Sequence, residues 1–178
     1  MYFRLAAITM FLAILHPASS LAHAAGPAVP KTASEELIPA TSRKPAPDFT
    51  LTDVAGRSLT LSRYRGRVVL LDFWATTCGG CKVEIPWYVE FDRRYRSKGL
   101  ALLGIDMYGE TARVIRPFMR KSHMDYPVAI GNNALGARFG VHEMPLTLLI
   151  DRNGRITVSH AGIVNKAEFE KDIQALLR

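Results

Sequence analysis

One stretch constrains this chain more than any other: the nearly unbroken apolar run Val68-Val-Leu-Leu-Asp-Phe-Trp74, followed within a few residues by Cys78-Gly-Gly-Cys81. A run of that length containing a single acid reads as a central strand covered on both faces. Beyond Cys81, apolar residues at Val83, Trp87, Phe91 and Tyr95 recur at helical spacing and stop at Gly99. A buried strand therefore hands over directly to a helix, with two cysteines at the junction. At 178 residues the chain is long enough for one domain with a full hydrophobic core, so it does not need disulfides as staples. Its two cysteines are free to be chemical.

The remaining segments fill in an α/β architecture. Residues 47–61 alternate apolar and polar side chains around Ala55-Gly56, as a β-hairpin does. Leu100 to Asp106 reads as a second buried strand, and Thr111 to Lys121 as a helix in which Pro117 implies a kink or a late start. A short strand over 126–130 and a short helix from Ala134 to Phe139, stopped by Gly140, come next. Leu146–Asp151 and Arg155–His160, joined through Asn153-Gly154, read as a hairpin with a two-residue turn. Lys166 to Leu177 is a closing amphipathic helix. Strands and helices that alternate first, then a hairpin and a helix, predict a central mixed sheet with helices on both faces and a hairpin at the N-terminal end.

The first residues point to export. Arg4 precedes an apolar run from Leu5 to Leu15, Pro17 ends it, and Ala22-His23-Ala24 has the small-x-small form of a cleavage site. The run is shorter than the ~20 residues a membrane-spanning helix needs, so residues 1–24 are expected to be a signal peptide cleaved after Ala24. The alternative is an uncleaved anchor in a bacterial inner membrane, and the domain faces the periplasm either way. Residues 25–45, rich in Ala, Pro, Ser and Thr, read as a flexible tether, and 46–178 as the folded domain. The formal net charge is +7, and removal of residues 1–24 takes one basic residue and leaves +6. No basic run is interleaved with stacking aromatics, so a nucleic-acid partner is not expected.

At the start of a helix, Cys-x-x-Cys places two thiols one turn apart and within disulfide reach. Unpaired backbone N–H groups and the helix dipole at that end favour a thiolate below the free value of ~8.5. Cys78 is thus the candidate nucleophile, and Cys81, one turn inside, the resolving thiol that attacks the mixed disulfide. A plain structural disulfide is the simpler reading, although so short a loop removes little unfolded-state entropy. Zinc needs four ligands, and His123, His142 and His160 supply no fitting spacing. No metal or cofactor is expected.

These residues resemble the exported thioredoxin-like thiol–disulfide oxidoreductases of the TlpA and ResA type, a redoxin group that includes reductants of apocytochrome c. The likeness spans 46–178 and rests on Pro47-Asp-Phe, Phe73-Trp-Ala, Cys-x-x-Cys-x-x-Glu-x-Pro, Gly140-Val-x-x-Met-Pro145 and Leu149-Ile-Asp-Arg-Asn-Gly-Arg-Ile. It implies a thioredoxin-like fold and a thiol–disulfide oxidoreductase; the chain is expected to be a monomer. Its partners would be disulfide-containing protein substrates, apocytochrome c among them, and a membrane thiol donor that recharges it. Pro145 matches the family's cis-proline, which lies against the disulfide and leaves the backbone of Met144 free to pair with substrate. Glu84, one turn beyond Cys81, is placed as a partly buried carboxylate that accepts the resolving thiol's proton. Asp72, an acid in an apolar strand, matches the buried acid of thioredoxins; its pKa should be raised, and it is expected to act catalytically by shuttling the Cys81 proton through water. Trp74, beside the motif, is expected to border the active-site surface as a substrate contact, with an ordinary core position as the alternative.

Two departures stand out: Thr77 where the family usually has Trp, and Gly79-Gly80 between the cysteines. The two glycines weaken the first helical turn by about 1 kcal/mol each relative to Ala. His142, three residues before Pro145, is either a neighbour of Cys78 or an ordinary loop residue. Two other functions compete. A thiol peroxidase shares the Ala46-Pro-Asp-Phe opening but resembles Pro-x-x-x-Thr-x-x-Cys, where this chain has Leu71 and Ala75. A copper chaperone or non-catalytic interaction module of related fold uses Cys-x-x-x-Cys, one residue longer than the spacing here.

Overall fold

The computed structural model describes residues 37–178. The expected signal peptide and most of the tether lie outside the described residues. Five strands form the central sheet: β3 (Val68–Trp74), β4 (Leu100–Asp106), β5 (Val128–Ile130), β6 (Leu146–Ile150) and β7 (Ile156–Ala161), in the order β5-β4-β3-β6-β7. Strands β3, β4 and β5 are parallel, β6 runs antiparallel to β3, and β7 antiparallel to β6. The sheet is therefore mixed, with β3 at its centre, and every residue of β3 and β4 is buried, as their continuous apolar runs require. A separate hairpin, β1 (Thr50–Thr52) with β2 (Ser58–Thr60), docks at the β5 edge, where Val54 N–H donates to Val128 O at 2.8 Å.

The period of two along β3 sorts its side chains between two cores. Val68, Leu70 and Trp74 face a layer built with helices α1 (Gly79–Tyr95), α2 (Ala112–Lys121) and α4 (Lys166–Leu177). Val69, Leu71 and Phe73 face the opposite layer, with α3 (Asn133–Phe139) and the N-terminal hairpin. Asp72 has the parity of Leu70 and Trp74, which directs it toward α1.

Three local readings change. The helix after Cys81 ends at Tyr95 and tightens into a 3-10 turn over Arg96–Lys98 before Gly99, whose φ of 105° needs a residue without a β-carbon. The β6–β7 connection is not a two-residue turn. Asp151 pairs with Arg155, Gly154 N–H closes a turn onto Asp151 O, and Gly154 sits at φ 70°. Asp151 imposes this three-residue loop, because its carboxylate accepts from the N–H groups of Asn153 and Arg155. Residues 37–45, read as the end of the tether, are tied to the domain: Ile38 N–H donates to Thr157 O, Ile156 N–H to Lys44 O, and Arg43 pairs with Asp151 at 3.1 Å. The apolar alternation that marks strands was missing there because these bonds run through the backbone. Pro117 lies inside α2 and does not delay its start.

Candidate active site

Cys78 occupies the N-cap of α1, with φ −71° and ψ 116°, where β3 gives way to the helix. Its backbone N–H donates to Ala75 O, and its Sγ accepts from the Cys81 N–H at 3.2 Å. Cys78 and Cys81 form a disulfide with Cα atoms 5.3 Å apart. Cys78 is half-buried and Cys81 only 1% exposed, so attack from outside reaches Cys78. In the reduced form the helix N-terminus and the Cys81 N–H favour negative charge on that outer sulfur.

The Met144–Pro145 peptide bond is cis, as the family resemblance implies. Pro145 is buried against the first turn of α1, and Gly162 N–H donates to its carbonyl at 2.8 Å. Met144 is half-buried and makes no backbone hydrogen bond among the described residues. The second glycine of the motif now has a reason: a β-carbon on Gly80 would lie 3.0 Å from Pro145 Cδ and 3.2 Å from Ile163 Cγ1. Gly79 faces open space.

Two carboxyls stand in the layer behind Cys81. Glu84, expected to be partly buried, has no exposed surface; its Oε1 accepts from Val164 N–H at 2.8 Å, and its Oε2 has no partner among the described residues. Burial pushes its pKa up, and the Val164 N–H works against that shift. Asp72 is 1% exposed, and neither of its oxygens has a partner among the described residues. Burial, reinforced by the charge of Glu84, raises it well above the ordinary carboxylate range. Beside them the Tyr88 hydroxyl and Thr147 Oγ1 share a 2.8 Å hydrogen bond, and Thr147 is the register partner of Asp72 on β6.

Trp74 does not border the surface. It is wholly buried because its parity on β3 points it into the α1 layer, where Phe118 covers its ring at 5.3 Å between centroids. His142 is exposed in the loop before Pro145. A further acid pair escaped the sequence reading. Glu110 accepts from the Thr76 backbone N–H at 2.9 Å and from the Thr76 hydroxyl, which ties down the loop before Cys78. Glu110 N–H in turn donates to Asp106 Oδ2 at 2.8 Å. Asp106 is fully buried, and burial together with Glu110 pushes its pKa up to about 6, while the Thr76 bonds help hold Glu110 below its ordinary value. The one available signal was an acid ending the apolar strand β4 at the carboxyl edge of the sheet, where such folds place their sites.

Comparison with known proteins agrees with this geometry. The AhpC/TSA family profile matches residues 43–159. The thiol-disulfide oxidoreductase ResA of Geobacillus kaustophilus is 33% identical over 133 residues, covering 74% of this chain and 75% of that protein. The crystal structure of a thiol:disulfide interchange protein of the thioredoxin family from Chlorobium tepidum superposes with a TM-score of 0.70 at 25% identity, covering 76% of this chain and 97% of the other. A secreted thiol-disulfide isomerase from Corynebacterium glutamicum, 20% identical, shares the fold at a TM-score of 0.74 over 83% of this chain and 94% of its own. The chain belongs to the AhpC/TSA family, in which it is a thioredoxin-like thiol–disulfide oxidoreductase related to ResA.

Proposed function

We propose that this oxidoreductase is exported, that residues 1–24 direct the export and 46–178 form the catalytic domain, and that it works in the periplasm as a dithiol reductant of protein disulfides, with apocytochrome c one candidate. The observation that carries the reading is the buried pair Asp72 and Glu84 behind Cys81, with three carboxyl oxygens lacking partners among the described residues. Unsatisfied buried acids are costly, and such groups mark sites where protons move.

In this reading the Cys78 thiolate attacks one sulfur of the substrate disulfide. That S–S bond breaks, the distal sulfur leaves and takes a proton, and a mixed disulfide forms on Cys78. Glu84 accepts the Cys81 proton; burial makes it more basic, and the Val164 N–H suits its charged form. Asp72 lacks any such donor and keeps its own proton further up the pH scale. The Cys81 thiolate then attacks Cys78 Sγ, the substrate's second sulfur leaves, and the Cys78–Cys81 disulfide is left for a membrane thiol donor to reduce. Met144 offers its backbone to an extended substrate segment, and the buried Pro145 holds it in place. Trp74 has no part in substrate contact.

A peroxidase reading lacks support at the same site: Leu71 and Ala75 are buried and apolar where that chemistry calls for Pro and Thr. The test of the reductant role is the Cys78/Cys81 couple equilibrated in glutathione or dithiothreitol buffers and read by alkylation. A midpoint below about −200 mV is expected, in the range of cellular reductants, whereas one near −120 mV would make the protein an oxidant.

A further inference from the structure

Between α1 and α2 lies an open groove of about 740 Å³ that begins at Thr76, two residues before Cys78. Its floor is apolar: Ile85 and Val89 from α1 meet Val114 and Phe118 from α2. One side of the floor is anchored, because Phe118 rests on the wholly buried ring of Trp74. Around this floor stand Lys82, Arg93, Lys121 and His123, and none of the lining residues is acidic.

The cations are poorly neutralised. Among the described residues Lys82 and Lys121 have no salt-bridge partner, and Arg93 reaches only Asp125, at 3.8 Å with both side chains mostly exposed. Lys82 feels the charge of Glu110, whose two carboxyl oxygens are hydrogen-bonded to Thr76. From Lys82 to Arg93 the α1 wall runs about 17 Å, the length of roughly five extended residues. In an extended segment, alternate side chains face one way. Apolar groups at every second position would fill the floor while intervening carboxylates meet the rim.

We infer that this groove seats an acidic, apolar-alternating segment of the protein substrate that flanks the disulfide under attack at Cys78. The inference rests on the reading that the enzyme acts on protein disulfides. The excess of cations over carboxylates along the groove chooses the partner's charge and speeds encounter.

The test compares two synthetic peptides that share one intramolecular disulfide, one flanked by Glu-Leu-Glu-Phe-Glu and the other by Lys-Leu-Lys-Phe-Lys. Their reduction by the reduced full chain is followed at low salt, with each rate normalised to the same preparation's rate with neutral 2-hydroxyethyl disulfide. A preference of about tenfold or more for the acidic peptide is expected, shrinking in 1 M salt, where the screening length is about 3 Å. The double variant Arg93→Glu with Lys121→Glu should abolish or invert it. Equal rates for the two peptides, or a preference untouched by the double variant, would overturn the groove as a docking site. Reduction of the small disulfide but of neither peptide would instead overturn the protein-disulfide reading and the groove with it. A concentration-dependent dimer in sedimentation that is lost in Phe118→Glu would assign the groove to a second copy of the chain and overturn the substrate docking.

Discussion

Gly80 lies so close to Pro145 that an added β-carbon would stand 3.0 Å from the proline Cδ, whereas the same addition at Gly79 meets nothing within 4 Å. The two glycines of the motif therefore differ in kind. Gly79→Ala should stabilise the oxidised protein by about 0.5–1 kcal/mol through helix propensity. Gly80→Ala should lose about 1 kcal/mol or more, because overpacking outweighs that gain. Urea unfolding of the two variants checks the contrast; equal effects would mean that Pro145 does not constrain the motif.

Asp72 makes stability depend on pH with a definite sign. Its folded pKa is raised, so its full contribution is present below the unfolded value of ~3.9 and is lost as pH rises through the folded value. Within that window the loss is about 1.4 kcal/mol per pH unit. Asp72→Asn should flatten the slope and leave the variant the more stable protein at alkaline pH. Chemical unfolding from pH 4 to 9 measures this, and parallel curves for the two proteins would contradict it.

Glu84 should matter at one step of the reaction. Glu84→Gln keeps the shape and an acceptor for Val164 N–H but cannot take up the Cys81 proton. Release of substrate from the mixed disulfide is expected to slow by about 10²-fold, with alkylation of Cys78 changed far less. Rapid-quench kinetics separates the two steps. A loss shared equally between them would reduce Glu84 to a structural acid.

The Asp106–Glu110 pair gives a titration to look for. The carboxyl carbon of Asp106 should titrate with a midpoint at about 6 by NMR. Burial is the first cause and Glu110 an additional one, so Glu110→Gln should lower the midpoint only partway toward the ordinary value. The raised Asp106 adds stability at low pH that is lost as pH rises through about 6. An Asp106 midpoint near 4 in the wild type would contradict this account of the pair.

Much of the fold and the redox pair was legible because both depend on pattern. Apolar runs announced β3 and β4, Ala55-Gly56 the hairpin, and the strand-to-helix handover placed Cys78 at an N-cap. What escaped depended on pairing across distant segments. Nothing in the spacing linked Glu110 to Thr76 or Ile163 to Gly80, and Trp74 was misplaced because neighbourhood in sequence to Cys78 said nothing of its parity. The Asp151 carboxylate overrode the local Asn153-Gly154 turn signal for the same reason that caps override propensity: it satisfies backbone N–H groups the shorter turn would not.

The division of labour between the two cysteines is tested most directly by trapping. Cys81→Ser and Cys78→Ser variants are expressed in the native compartment, and mixed disulfides are identified by mass spectrometry after acid quenching. Cys81→Ser is expected to accumulate mixed disulfides on Cys78 with exported cysteine-bearing proteins, while Cys78→Ser accumulates none. Equal trapping by both variants, or no trapping by Cys81→Ser despite a reactive Cys78, would contradict it.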